Sequence, residues 1–557
     1  MEYYSKIIPM KLLNNHIVND PIIDWFCLQN IHSEVFHPDK NNYFKKYILQ
    51  ETINYKNKFI QCLKGKILSL HPNNTIYQNT GVNKTIQLIE DNYPIIINPN
   101  LINDKYNISV SCDILIKKRL FNDIFKDINN VKLNSIKSSD YLIINIIPET
   151  VHFKSDGKTL QKNDIININE CCLYVFNSAL KKYIYRCEYG FIFAKGYKHK
   201  NILLEKKENI GFVQFNDKIR WKVIHAREWI QRLKSMNYKI INYKPPCLEL
   251  YPNMNYTNTD YETEKRKIAE KIGEITLVWR ISYKERCELI KNGVTTWDDI
   301  YLIQNLYELK ENNTKHIQEQ IIHMNKQSDI VINPRKQISY DFRNILRPTS
   351  NEYILDLESL IHLEEKSSYF DNIIDEDKAI VCIIGSIHLQ NNIYKSFQDF
   401  TINDLSLQQE KIILQNWLNT LKTSDDNTIR IFHWGNAEKI YIQNLKNKYP
   451  DIQFPKILLI DLLHFFRNEP IIVKDAFNFG LKSVGKALYK HGFIKTTWEG
   501  TDNGLDAMVR FKDIAEKNKD KNIPLKRYTE IKEIIQYNQI DCIVLMEIIQ
   551  FLRAKYL

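Results

Sequence analysis

The order of apolar segments in the last third of the chain constrains its fold most strongly. Three strand-like runs come first, "EYILDLESLIHL", "KAIVCIIGSIHL" and "IYKSFQDF". Helical and strand patterns then alternate as far as "KILLIDLLHFF", and the remainder is mostly helical. Consecutive strands tend to lie side by side, whereas strands separated by helices pair in parallel. This order predicts a mixed sheet with flanking helices.

Acidic residues occur at two strand positions of this region. Asp356 and Glu358 are two residues apart on the first strand, so both side chains point to the same face. Such a pair is also common on the solvent face of a strand. Glu438 follows the strand "TIRIFHWG" at the start of a helix, where an acid is also favoured by the helix dipole alone.

A further acid lies inside the helical segment "IIQYNQIDCIVLMEIIQFLR", which is apolar on nearly every side. Tyr537 and Asp541 are four residues apart and share one helical face. Burying a carboxylate is costly unless it is paired or hydrogen-bonded, so a Tyr–Asp hydrogen bond in a core explains this pair by itself. A shared cation explains all the acids together, because Mg²⁺ prefers oxygen ligands and phosphodiester-hydrolysing sites often hold two ions. The predicted site holds two Mg²⁺ or Mn²⁺ ions on Asp356, Glu358, Glu438 and Asp541.

Five motifs in this region resemble, in the same order, those of the YprB-type RNase H-like nucleases, which are relatives of the DEDD exonucleases: "YILDLESL", "IFHWGNAEKI", "ILLIDLLHFF", "FNFGLKSVGKAL" and "YNQIDCIVLMEII". The resemblance covers about residues 351–557. It implies a metal-dependent 3′–5′ exonuclease that hydrolyses DNA, with Asp356 and Glu358 as motif one, Glu438 as motif two, and Tyr537 with Asp541 as motif three.

The resemblance also assigns supporting roles. Tyr537 would orient the attacking water. Since DEDD exonucleases generally have Asp at motif two, the longer Glu438 is a departure, and Asp461 is an alternative ligand. His433 is interpreted as structural rather than as a general base. The candidate nucleic-acid contacts are Lys482, His433, Lys222 and Arg227.

The first 200 residues contain the segments "DPIIDWF", "PIIINPNLI", "CDILIK" and "CCLYVFNSAL". In these segments they resemble the RecB-like PD-(D/E)xK nuclease domain that accompanies YprB-type domains in bacteria and large DNA viruses. Such a site needs an Asp on one strand and an acid-x-Lys on the next. Asp113 matches the first position, but the acid and the lysine fall on Asn145 and Ile147. Isoleucine cannot bind a metal or a phosphate, so this domain is predicted to be inactive, with Glu149 and Lys154 as the only sign of a relocated site.

The predicted architecture is α/β throughout. A RecB-like domain is expected at residues 1–205, a helical connector at 206–335, a linker at 336–350, and the RNase H-like exonuclease domain at 351–557.

Composition restricts partners and location. The chain has 557 residues and a formal charge of +11, which suits a polyanionic partner such as nucleic acid, although lysine-rich solvated faces explain the same balance.

Ten cysteines without a CxxC pair indicate reduced thiols. No signal peptide or apolar run of about 18 residues is evident, so we expect a soluble intracellular protein in the cytoplasm or nucleus, or in the host cytoplasm if it is viral, without a membrane partner.

Two other functions stay open at this point. One is a catalytically decayed protein that only binds nucleic acid or acts as a scaffold. The other is an RNA exonuclease, although DNA is favoured over RNA as the partner. Protein partners are not predictable from these patterns.

Overall fold

The computed structural model describes residues 6–557 except 34–37, 39–42, 73–74, 79–80, 129–130, 138–139, 185–187, 201, 206–207, 236–244, 257–259, 310–313, 327–329, 335, 361–379, 425–427, 500–503 and 522. The chain forms two compact units, the first mainly Lys45–Ile272 and the second mainly Gly273–His362 with Lys378–Leu557. Each unit has its own hydrophobic core. Both combine helices with β-sheets, so the predicted α/β class is confirmed.

The first unit contains a long sheet in the order β10-β8-β7-β6-β3-β2, with β9 beside β8, and a short sheet in the order β1-β5-β4. Its strands are β1 (Ile8–Pro9), β2 (Tyr77–Gln78), β3 (Ile95–Ile97), β4 (Asn100–Asn103), β5 (Ile108–Ser111), β6 (Ile114–Lys117), β7 (Tyr141–Phe153), β8 (Tyr189–His199), β9 (Ile202–Leu204) and β10 (Gly211–Gln214). Its helices are α1 (Asn14–Ile17), α2 (Ile22–Ser33), α3 (Tyr43–Leu70), α4 (Val82–Glu90), α5 (Lys118–Ile124), α6 (Val131–Asn134), α7 (Asp164–Leu180), α8 (Asp217–Ser235) and α9 (Glu262–Ile272).

The second unit is built on a mixed sheet in the order β14-β13-β12-β15-β16, with a separate pair β11-β17. Its strands are β11 (Ile332–Asn333), β12 (Asn351–Leu360), β13 (Ile380–Gln390), β14 (Ile393–Thr401), β15 (Ile429–His433), β16 (Ile457–Asp461) and β17 (Ile472–Val473). Its helices are α10 (Tyr283–Lys291), α11 (Leu302–Leu309), α12 (Lys315–Lys326), α13 (Tyr340–Leu346), α14 (Leu407–Thr420), α15 (Ala437–Lys448), α16 (Leu462–Asn468), α17 (Leu481–Lys490), α18 (Gly504–Asn518) and α19 (Thr529–Tyr556).

Strand direction in this mixed sheet follows the predicted pattern. β12, β13 and β14 are consecutive antiparallel neighbours, whereas β12, β15 and β16 run parallel. β13 is apolar and buried along nearly its whole length, because α14 and α19 both pack against it. The carboxyl ends of the three parallel strands therefore meet at one edge of the sheet.

Two segments differ in detail from the predicted organisation. The boundary between the units falls at Gly273, inside the predicted connector. The predicted linker 336–350 contains helix α13, whose Phe342 and Leu346 are fully buried. The Phe342 ring stacks on Phe465 with ring centroids 4.5 Å apart, so this segment belongs to the core of the second unit.

Among the helices of the described residues, none combines the length and the apolar character needed to span a membrane.

Candidate functional site

Strand β12 carries the first two acids of the candidate site. Leu355 and Leu357 are buried on one face of the strand, and Asp356 and Glu358 alternate with them on the other, where they are partly buried. Asp356 lies opposite Gly385 of β13. This face of the sheet is covered by α19, which packs against both strands.

Helix α19 reaches Asp356 through Asn538, a residue that the sequence patterns did not single out. Its Nδ2 donates hydrogen bonds to the backbone oxygen of Asp356 at 3.2 Å and to Oδ2 at 2.6 Å. Asn538 is fully buried. A Cβ atom on Gly385 would lie 1.7 Å from Asn538 Oδ1, so only glycine lets the helix approach the strand this closely.

The approach of α19 brings Asp541 to the two strand acids. Carboxylate oxygens of Asp356, Glu358 and Asp541 all lie within 4.8 Å of one another, so this cluster could hold a metal ion. Burial raises the pKa of each group, and neighbouring carboxylates raise it further for Asp356 and Glu358. The pKa of Asp356 is well above its usual value, that of Glu358 rises to about 8, and that of Asp541 to about 6.

Three polar groups surround Asp541. Trp498 Nε1 donates a hydrogen bond to its Oδ1 at 2.7 Å, and Tyr537, one helical turn earlier, is hydrogen-bonded to it as well. Burial, and then Asp541, raise the pKa of the Tyr537 phenol, which therefore stays protonated at neutral pH. Lys482 Nζ lies 4.8 Å from the centroid of the Tyr537 ring, and its charge lowers the pKa of both Asp541 and Glu358 against the effect of burial.

Glu438 lies beside this cluster, in the first turn of α15. Its side chain is buried, and its Oε2 has no hydrogen-bond partner among the described residues. His433 Nδ1 is 3.4 Å from that oxygen. The charge of Glu438 contributes to the raised pKa of Asp356, Glu358 and Asp541, although it is not one of the three acids whose oxygens converge.

His433 and Asp461 occupy neighbouring positions at the ends of β15 and β16. The His433 side chain is only 1% exposed, and both its structural role and its contact with nucleic acid stay predictions. Asp461 Oδ1 accepts hydrogen bonds from the backbone N–H of Gly435 at 2.8 Å and of Leu463 at 2.9 Å. Asp461 thus fixes the turn between β15 and α15, where Gly435 has a φ of 101° that favours glycine.

The predicted degenerate site of the first unit lies on β7 and just before β6. Lys56 Nζ binds Asp113 Oδ1 and Oδ2 at 2.9 and 2.8 Å, and the N–H of Ile146 donates to Oδ2 at 2.6 Å. Asn145 Oδ1 accepts from the Asp113 N–H at 3.2 Å, while Ile147 is fully buried. A cavity of about 460 Å³ borders Lys56, Asp113 and Asn145.

The two candidate basic contacts of α8 make hydrogen bonds within the first unit. Lys222 Nζ donates to Asn167 Oδ1 at 2.6 Å. Arg227 Nε donates to the backbone oxygen of Tyr106 at 2.7 Å. These bonds tie α8 to neighbouring segments, and contact of either residue with nucleic acid stays a prediction.

No protein-family model matches this chain, and no curated protein matches it either. The nuclease resemblance therefore depends on the motifs named above. The structure brings Asp356, Glu358, Tyr537 and Asp541 together, with Glu438 and Lys482 adjoining. It adds Asn538, Trp498 and Gly385, whose roles depend on contacts between distant segments that no spacing in the sequence reveals.

Proposed function

We propose that the second unit is an RNase H-like, divalent-metal-dependent nuclease that hydrolyses phosphodiester bonds. The observation that carries the proposal is the convergence of Asp356, Glu358 and Asp541, which come from a strand and a distant helix, on one point. Folding brings three carboxylates together against their mutual repulsion and against the cost of burial. A bound cation offsets both costs, whereas a purely structural cluster would gain nothing from a third acid.

The residues fit a divalent cation such as Mg²⁺ or Mn²⁺. Asp356, Glu358 and Asp541 supply oxygen ligands, and the buried Glu438 Oε2 lacks a hydrogen-bond partner among the described residues. When bound, such ions lower the pKa of an attacking water and neutralise charge on the phosphate. A carboxylate set of this kind suits hard cations with oxygen coordination.

The other residues of the site would position the reactants. Asn538 holds Asp356 and Trp498 holds Asp541, each through one side-chain hydrogen bond to the carboxylate. Tyr537 keeps its proton, so it acts as a hydrogen-bonding group that orients water rather than as a base. Lys482 supplies positive charge beside the cluster, where a phosphate oxygen would bind.

For the substrate we propose DNA, cleaved from a 3′ end. This choice follows the motif resemblance and the formal charge of +11. The positive charge supports a polyanionic partner. The motif resemblance supports DNA as that partner and cleavage from the 3′ end.

The test is a cleavage assay on end-labelled single-stranded, duplex and branched DNA and on matching RNA, with Mg²⁺, Mn²⁺ or EDTA. We expect metal-dependent release of nucleotides from DNA 3′ ends by the full chain. Asp356→Asn and Asp541→Asn should each lower the rate by at least about 100-fold, because removing one charge-stabilising group at an active site typically costs that much. Asp520→Asn changes an exposed acid of the same unit and should leave the rate unchanged.

The alternatives give different results in the same assay. Cleavage of RNA but not DNA would indicate an RNA exonuclease. Binding without turnover under every metal condition would indicate a decayed binding protein and would contradict the proposal. Undiminished cleavage by both Asn variants would place the chemistry elsewhere in the chain.

A further inference from the structure

Two arginines of the second unit share one tryptophan ring. The guanidinium carbon of Arg280 lies 4.7 Å from the centroid of the Trp279 indole, and that of Arg467, on α16, lies 5.8 Å from it. The backbone N–H of Trp279 donates to the backbone oxygen of Phe477 at 2.9 Å, and the Trp279 ring packs edge-on against Phe479 with ring centroids 5.2 Å apart. The indole is therefore a fixed platform that holds both guanidinium groups.

Neither guanidinium forms an ion pair with a described residue, and the Asp461 carboxylate, which raises the pKa of Arg467, has a smaller effect on it than Arg280. Within the described ranges, no carboxylate lies within ion-pairing distance of Arg280 or Arg467, and Arg467 Nε is buried without a hydrogen-bond partner. Their proximity is unfavourable, because burial, followed by the charge of Arg280, lowers the pKa of Arg467. Two adjacent cations with unused donors form an arrangement that an anion would complete.

The backbone at Arg280 is also strained. Its φ is 58°, in the left-handed region that is unfavourable for a residue with a side chain. This conformation accompanies the stacking of the Arg280 guanidinium on the indole beside Arg467. Strain of this kind is typical of positions that serve a function.

The arginine pair lies at the same edge of the sheet as the acidic cluster. Arg467 is in α16, which begins directly after β16, and Asp461 at the end of β16 is level with His433 of β15. Ile354 of β12 pairs with Phe432 of β15, so Asp356 lies just past the level of His433. β12 and β16 are two strands apart, or roughly 10 Å, and Arg467 lies six residues beyond the end of β16, so the arginine pair lies to one side of the acidic cluster.

We propose that Arg280 and Arg467, held on Trp279, bind a backbone phosphate of the nucleic-acid strand to one side of the bond that is cleaved. The planar guanidinium fork matches phosphate oxygens in pairs and binds them by charge-assisted hydrogen bonds. The nature of the strand rests on the proposed function, but the phosphate site itself does not require the metal cluster. Binding measured without metal therefore tests the site independently of cleavage.

The experiment measures binding of a fluorescent single-stranded DNA to the full chain by anisotropy, in EDTA and over a series of salt concentrations. The variants are Arg280→Gln, Arg467→Gln and Arg467→Lys, and the matched control is Arg527→Gln, an exposed arginine of the same unit. We expect each Gln variant to weaken binding about tenfold and to reduce the slope of log K against log salt by about 0.7, the value for one phosphate contact on a single strand. Arg467→Lys keeps the charge but loses the fork, so it should bind with intermediate affinity.

Circular dichroism and the unfolding temperature of each variant verify that it folds. A competition arm with inorganic phosphate distinguishes the two sources of phosphate. Wild-type affinity and salt slope in both Gln variants would overturn the proposal, as would an Arg527→Gln effect of equal size. If Arg280→Gln and Arg467→Gln abolished only competition by inorganic phosphate and left DNA binding intact, the nucleic-acid assignment would be wrong. Absence of cleavage by the wild-type chain, together with the expected weakening of DNA binding in the Gln variants, would instead count against the proposed function alone.

Discussion

At the scale of single residues, the site depends on a contact between Asn538, Asp356 and Gly385. Asn538 is fully buried, and its Nδ2 donates to Asp356 Oδ2 at 2.6 Å, while the missing side chain of Gly385 makes room for it. Because a carboxylate that binds a cation must be held within fractions of an ångström, this amide fixes the ligand as well as the packing of α19 on the sheet.

Gly385→Ala tests this contact. The new methyl group would lie 1.7 Å from Asn538 Oδ1, so α19 or the Asn538 side chain must move, and we expect a loss of about 1 to 3 kcal/mol in the free energy of unfolding together with loss of cleavage. Adding Asn538→Ala removes the clashing atoms, so the double variant should recover stability but not activity. Chemical denaturation and the cleavage assay measure both effects.

Gly65→Ala is the control for this substitution. Gly65 lies within α3, and a Cβ there would contact nothing within 4 Å, so alanine should be neutral or stabilising. A Gly385→Ala protein as stable and active as the wild type would contradict the close approach of α19 to β13.

At the scale of elements, the parallel strands and helix α19 together assemble the site. The sequence predicts only part of this assembly. The two-residue spacing of Asp356 and Glu358 and the four-residue spacing of Tyr537 and Asp541 predict a shared face on each element, and the structure has both. Tertiary packing decides which elements are in contact, so no sequence pattern indicated that Asn538 binds Asp356. Helix α13 was missed because the flanking prolines, Pro334 and Pro348, and the polar and charged residues around it outweigh its two buried apolar residues in any local pattern.

Trp498 shows how an element outside the motifs supports the site. It lies between α17 and α18, and its Nε1 donates to Asp541 at 2.7 Å. Trp498→Phe keeps an aromatic ring but removes this donor, so we expect a 10- to 100-fold loss in metal affinity or cleavage rate, the usual effect of losing a partner of a metal ligand. The Mn²⁺ dependence of cleavage measures it.

The matched control is Trp417→Phe. Trp417 is fully buried in the same unit, but its Nε1 has no hydrogen-bond partner among the described residues. Trp417→Phe removes a similar side-chain volume but no hydrogen-bond donor to a carboxylate, so metal-dependent cleavage should persist. Equal losses in both variants would show that Trp498 acts through packing alone.

At the scale of the whole molecule, the two units differ in the surroundings of their candidate acids, and the proposed chemistry lies in the second unit. Both oxygens of Asp113 are bound by Lys56, whereas the oxygens of Asp356, Glu358 and Asp541 face one another. Protons and metal cations therefore compete for the carboxylate oxygens of the second unit. Since the pKa of Glu358 is about 8 and that of Asp541 about 6, protons occupy the cluster increasingly as the pH falls below 8, and a metal ion must displace them.

Calorimetric titration of the full chain with Mn²⁺ at pH 8 and at pH 6 tests the central claim most directly. We expect binding at pH 8, at least tenfold weaker binding at pH 6 because protons then compete for the same oxygens, and loss of this binding in Asp356→Asn and Asp541→Asn but not in Asp520→Asn. Mn²⁺ binding of equal affinity in the wild type and in both site variants would contradict the assignment of these carboxylates as a metal site.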